Sequence, residues 1–182
     1  MMWFVELILK LISMSKEPHE TVRPPSAVHT WPQGEAAVLE FYGNPLSFPT
    51  PQNYWSTVGE FARVNRSAFA HVPFLAKHGG FWCHRKCRES LESIFRAIVL
   101  GGHATKIRSF DGCYNHRPIR GGSKLSMHSF GAAIDINAQL LPLGSSATVD
   151  PAIKRIFLDH GWEYGGDWTG RKDPMHFSAG NC

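Results

Sequence analysis

Residues 131–137 read GAAIDIN, an alternating run that sets Ala132, Ile134 and Ile136 on one face of a strand and Ala133, Asp135 and Asn137 on the other. The run is otherwise apolar and belongs in a core, where an unpaired carboxylate is strongly disfavoured. Any fold of this chain must therefore bring a positive partner to Asp135. His128 leads into the same strand, and Gly131 and Ala133 leave room beside the carboxylate. His176 stands between Met175 and Phe177 on what reads as a second buried strand. Two imidazoles and one carboxylate make a zinc site with its fourth position open, the pattern of a catalytic ion, and one Zn2+ per chain is expected. Asp173, three residues before His176, is placed to act as general base toward an activated water. The plainer reading of Asp173 is a turn, since Asp-Pro commonly starts one.

The surrounding elements follow from spacing. Between His84 and Val99, the residues Cys87, Leu91, Ile94, Phe95, Ile98 and Val99 recur at helical intervals, and Gly101-Gly102 supply a stop. HATKIRSF (103–110) reads as a strand. GCYNHRPIRGGSKLSM (112–127) reads as a long loop of the kind that carries function. Asp150 caps a second helix with Pro151 at its first position, and Ile153, Ile156 and Phe157 form its buried stripe before Gly161 ends it. WEYGGDW and PMHF read as short strands joined by a charged turn. Upstream, VLEFYGNPLSFPTPQNYW (38–55) reads as loops packed on a core, and residues 15–34 as an extended lead-in rich in Pro, Ser and charge. The organisation expected is a tail over 1–30 and a single domain over 31–182, of α+β class around an antiparallel sheet.

The 182 residues can bury a core, and 43% hydrophobic content argues against disorder over most of them. A net charge of +4 favours anionic partners, the bacterial cell wall among them. No dense Lys/Arg block is present, so no nucleic acid is expected. The cysteines (Cys83, Cys87, Cys113 and Cys182) are too few for a disulfide scaffold. A structural zinc site could be drawn from Cys83, His84, Cys87, Cys113 and His116, or a disulfide from Cys87 and Cys113. Buried idle thiols are the favoured reading, because the spacing is not a C-x-x-C pair. The N-terminal MMWFVELILKLIS carries Glu6 and Lys10, is too short to span a bilayer, and lacks a basic start and a cleavage site. It reads as a frayed amphipathic helix or as residues upstream of a start at Met14, with a degenerate export signal or membrane anchor as the sharper alternative. No stable membrane span and a monomeric chain are expected.

SMHSFGAAID (126–135) fits the pattern S-x-H-x-x-G-x-A-x-D, and GWEYGGDWTGRKDPMHF (161–177) is similar to the closing motif of the same family. Together they resemble the zinc D,D-peptidases: the VanY-like D-alanyl-D-alanine carboxypeptidases and, closer still, the L-alanyl-D-glutamate endopeptidases of phage endolysins. FYGNP and HRKC resemble upstream segments of the phage-type members. The resemblance implies the Hedgehog/DD-peptidase fold, zinc ligands at His128, Asp135 and His176, and Asp173 as base. Many members carry Glu at that last position, and the endolysin branch tolerates Asp. It also implies an arginine, on a strand before the signature, that binds the substrate carbonyl. Arg108 matches best, with Arg117 and Arg120 in the adjoining loop as competitors, although as loop charges those two read first as solvated. Ser126 is expected to orient the site or touch substrate. The implied substrate is the peptidoglycan stem peptide, cut at D-Ala–D-Ala or at L-Ala–D-Glu. The implied protein is made in the cytoplasm and acts on the cell wall.

Two other readings compete. A Ser126–His128–Asp135 triad would make a serine hydrolase, although no G-x-S-x-G elbow accompanies it. A catalytically inactive zinc-binding module of the same fold would keep the ligands without the reaction.

Overall fold

The computed structural model describes residues 29–47, 55–57 and 67–182. The N-terminal apolar run, Met14 and the lead-in up to residue 28 lie outside the described residues. In chain order the elements are α1 (Glu35–Tyr42), β1 (Trp55–Thr57), α2 (Pro73–His78), β2 (Trp82–His84), α3 (Arg88–Leu100), β3 (Phe110–Gly112), β4 (Ala133–Ile136), α4 (Pro151–Asp159), β5 (Glu163–Tyr164) and β6 (His176–Ser178). β1 and β2 pair as a separate antiparallel ribbon, and the other four strands form one antiparallel sheet in the order β3-β4-β6-β5. This is the α+β architecture, an antiparallel sheet flanked by helices, that the resemblance implied. Among the described residues no helix is long and apolar enough to cross a membrane.

The two amphipathic helices form as their spacing requires. α3 buries Leu91, Ile94, Phe95 and Ile98. It begins at Arg88 rather than His84, because the carbonyls and N–H groups of Arg85–Cys87 close a 3-10 turn that His84 caps through Lys86 N–H. α4 starts where Asp150 accepts the N–H of Ala152 at 3.0 Å, with Pro151 at its first position. Its Phe157 stacks on Phe177 of β6, ring centroids 4.0 Å apart, and so fastens the helix to the strand that carries His176. Trp31 is buried, and its indole N–H donates to the carbonyl of His160 just after α4.

Three local expectations need correction. The segment 38–55 is not all loop: α1 takes Val38 through Tyr42, and the Tyr42 hydroxyl donates to the carbonyl of Ala179 at 2.7 Å. HATKIRSF is not a strand. Ala104–Lys106 form a 3-10 turn, and only Phe110 of the eight residues enters β3. The cause is Asn137, whose Oδ1 accepts the N–H groups of Arg108 and Ser109 while its Nδ2 donates to the carbonyl of Lys106. A side chain thus occupies the polar groups that a neighbouring strand would have used. In WEYGGDW only Glu163 and Tyr164 are extended, and Gly165–Asp167 turn as 3-10 helix.

Candidate metal centre

Asp135 and His176 are directly opposed residues on β4 and β6, so the sheet register itself sets the carboxylate against the imidazole. His128 arrives from a different element. It lies in the 3-10 turn Met127–Phe130, whose first N–H groups are met by the Ser126 hydroxyl, accepting from His128 N–H at 3.3 Å. The turn ends at Gly131, whose φ of 62° lies in the left-handed region that favours glycine. The spacing S-x-H-x-x-G is therefore a capped turn with its stop. It delivers His128 to the start of β4 and the chain direction reverses into the strand.

The three side chains converge. His128 Nε2 lies 3.2 Å from Asp135 Oδ1 and 3.2 Å from His176 Nδ1, and His176 Nδ1 lies 2.9 Å from Asp135 Oδ1. Both imidazoles are buried, and one ligand atom from each of the three residues lies within 4.8 Å of the others. The His128 tautomer is fixed from behind. Its Nδ1 lies 2.7 Å from the carbonyl of Cys113, which can only accept, so Nδ1 carries the proton and Nε2 of the neutral ring presents its lone pair to the centre. Burial alone would raise the Asp135 pKa, but hydrogen bonds and positive charge from His128 and His176, when those rings are protonated, reverse this and hold the carboxyl well below the usual range. Two ring nitrogens and a carboxylate oxygen so close together can share one positive centre. The set can coordinate a metal ion.

Asp173 completes the arrangement. Its carbonyl accepts the N–H of His176 at 3.0 Å across the turn Asp173-Pro174-Met175-His176, so the ordinary turn and the functional placement are the same feature. One carboxylate oxygen, Oδ1, is buried with no hydrogen-bond partner. Burial raises the Asp173 pKa; His176, His128 and Arg117 pull it down and Asp135 pushes it up, with a raised value as the net result. A half-buried carboxylate beside a metal set, with an unsatisfied oxygen and an elevated proton affinity, is equipped to take and return a proton.

A cleft of about 470 Å³ opens over these groups, lined by Asp135, Asp173 and His176 with Ser126 at its wall. Arg117 and Arg120 also line it; Arg108 is exposed and does not. Arg117 is held in place through its own backbone, whose N–H donates to Ser129 Oγ at 2.9 Å and whose carbonyl accepts from the same hydroxyl at 2.7 Å. Arg171 and Trp168 are among the lining residues that spacing alone does not single out, the latter with its ring centroid 5.4 Å from that of His176. Their signal was present, since both lie inside the closing motif, but nothing in the spacing distinguishes a cleft side chain from a solvated turn.

The rival sites do not assemble. The Ser126 hydroxyl meets the backbone N–H of His128, while both ring nitrogens of His128 face other groups, so no serine triad forms. Cys83, Cys87 and Cys113 are buried and form no disulfide among the described residues, and His116 is exposed. Among the described residues the one group of three or more metal-ligating side chains is His128, Asp135 and His176.

Residues 120–179 match the family model described as D-alanyl-D-alanine carboxypeptidase. The matched segment contains all three converging ligands and Asp173, and it begins after both Arg108 and Arg117. No curated protein and no solved structure matches the chain.

Proposed function

We propose that this chain is a zinc-dependent peptidase that hydrolyses a peptide bond of the cell-wall stem peptide, at D-Ala–D-Ala or L-Ala–D-Glu. The observation that carries the reading is the convergence of His128, Asp135 and His176 beside the unpartnered, half-buried carboxylate of Asp173. The match of residues 120–179 supports the choice of reaction. His128 Nε2, Asp135 Oδ1 and His176 Nδ1 would hold the ion, leaving one position open. Bound there, zinc supplies Lewis acidity toward a water and a substrate carbonyl.

The chain's own groups do the rest. Asp173 takes a proton from the water as its oxygen bonds to the carbonyl carbon. The carbon–nitrogen bond then breaks, and Asp173 returns the proton to the departing amine. Negative charge gathers on the carbonyl oxygen between these events, and a guanidinium beside it stabilises the transition state. We assign that role to Arg117, which lines the cleft and acts on Asp173 electrostatically, rather than to Arg108. An inactive zinc-binding module would have no use for an unsatisfied carboxylate at this place.

Incubation with purified peptidoglycan, followed by mass identification of the fragments, tests the proposal and names the bond. The expected result is release of peptides cut at one stem position, abolished by a chelator and restored by zinc. Intact peptidoglycan after incubation with the zinc-loaded chain would refute it.

A further inference from the structure

Three arginines line the cleft, and its acidic groups are already committed. Asp135 belongs to the metal set and Asp173 to the proton transfer. Elsewhere several of the described cations meet carboxylates: Arg88 with Glu92, Lys106 with Asp150, Lys124 with Glu35, Lys154 with Asp167 and Arg155 with Asp159. Among the described residues Arg117, Arg120 and Arg171 form no ion pair. Arg117 has a role at the scissile carbonyl. Arg120 and Arg171 have none, and they carry two positive charges into a cleft where the ion would add more.

Both side chains are exposed, but the backbone segments that carry them are held. Arg120 stands on a small hairpin closed by Ile119 N–H to the Lys124 carbonyl at 2.8 Å, by Ser126 N–H to the Arg117 carbonyl at 3.1 Å, and by the bridge of Pro118 with Leu125. Arg171 stands on a turn fixed by Gly144 N–H to the Lys172 carbonyl at 2.7 Å and by Asp173 N–H to the Gly165 carbonyl at 3.0 Å. Each segment offers an apolar side chain to the same cleft as its arginine: Ile119 is 42% exposed and Trp168 is 36% exposed. Two separate pieces of chain therefore present the same pair of features, an exposed apolar surface and an unpaired guanidinium. A peptide with short aliphatic side chains and free carboxylates satisfies both, because a guanidinium fork pairs with a carboxylate through two parallel hydrogen bonds.

We propose that Arg120 and Arg171 form an anionic subsite that reads a free carboxylate on the peptide, away from the bond being cut. The preferred ligand is thus an acidic peptide with a free carboxylate remote from the bond being cut. What happens to the bound peptide rests on the peptidase reading; the binding itself does not.

The test separates the two. Zinc-loaded full-length protein carrying Asp173→Asn, which suspends turnover, is titrated calorimetrically with a synthetic stem pentapeptide. One form has all its carboxylates free, and the other has them amidated. The free acid should bind at least about tenfold more tightly, and the preference should shrink with added salt. Arg120→Gln combined with Arg171→Gln should abolish the preference, and Arg171→Lys should retain part of it, since charge survives without the planar fork. Equal binding of the two forms, binding of neither, or a preference untouched by the double substitution would overturn the subsite. Wild-type kinetics on both peptides supply the second arm. Arginine-dependent binding without hydrolysis would sink the peptidase reading and leave the subsite standing. Hydrolysis of both forms with equal kcat/KM would do the reverse.

Discussion

A Cβ added to Gly165 would lie 2.5 Å from the carbonyl oxygen of Asp173, 3.1 Å from its Cβ and 3.2 Å from the Cβ of His176. The carbonyl of Gly165 also accepts the N–H of Asp173 at 3.0 Å. A side chain at 165 must therefore displace backbone that positions both Asp173 and His176, and backbone yields less readily than a flexible side chain. Gly165→Ala is expected to lower kcat about tenfold to a hundredfold and to weaken zinc binding about tenfold, read by turnover and by competition with a chromophoric chelator. Arg117→Ala should cost about a hundredfold in turnover with zinc retained, while Arg108→Ala stays near wild type, because only the first lines the cleft. A crippled Arg108→Ala beside a healthy Arg117→Ala would reverse that assignment. At this scale the sequence was most legible where the requirement is local: a carboxylate inside an apolar run demands a partner, and His128 is seven residues away. Choosing among Arg108, Arg117 and Arg120 depends on where a long loop folds back, which spacing does not encode.

Elements are held by single polar side chains as much as by apolar stripes. Asn137 has φ 59° and is buried, and it makes three hydrogen bonds that shape residues 106–109. Asn137→Ala should cost about 3 kcal/mol in urea unfolding, because it orphans those groups and forces alanine into the left-handed region. A loss below about 1 kcal/mol would show that water replaces the side chain. The same residue explains why HATKIRSF misleads: its composition suits a strand, but its hydrogen bonds go to a side chain almost thirty positions later. The helices were readable because their caps and stripes are sequence-local, as with Asp150 and Pro151. His84 joins β2 to the turn before α3, with its Nδ1 accepting from Lys86 N–H and its Nε2 donating to the Tyr42 carbonyl. Burial, helped by Lys86 and Arg85, outweighs that carbonyl bond and pulls its pKa down to about 4. The unfolded chain therefore binds a proton near pH 6.5 that the folded chain refuses until about pH 4. Stability should be full above pH 6.5 and fall on the order of 3 kcal/mol as pH drops through that window, with a flatter profile in His84→Gln. Denaturant midpoints at pH 7 and pH 4.5 check this, and equal wild-type midpoints would contradict it.

Across the whole molecule, one sheet register, one capped turn and one Asp-Pro turn meet at a single point. The sheet supplies Asp135 and His176, the 3-10 turn supplies His128, and the turn into β6 supplies Asp173. The α+β class was legible because alternation and helical spacing occur in separate stretches of chain. The strand order β3-β4-β6-β5 was not, since it depends on long-range pairing between β4 and β6, some forty residues apart. Removal of any ligand should leave this framework largely folded, since the apolar cluster under the sheet does not include the ligands. His128→Ala or Asp135→Ala is therefore expected to lose zinc, measured by elemental analysis, while keeping its far-ultraviolet circular dichroism. The division of labour between three ligands and a separate base is tested most directly by the rate at which zinc-loaded Asp173→Ala releases peptide fragments from purified peptidoglycan. The expected result is one zinc per chain, as in the wild type, with fragment release lower by at least about a hundredfold. Fragment release by that protein at the wild-type rate would contradict it.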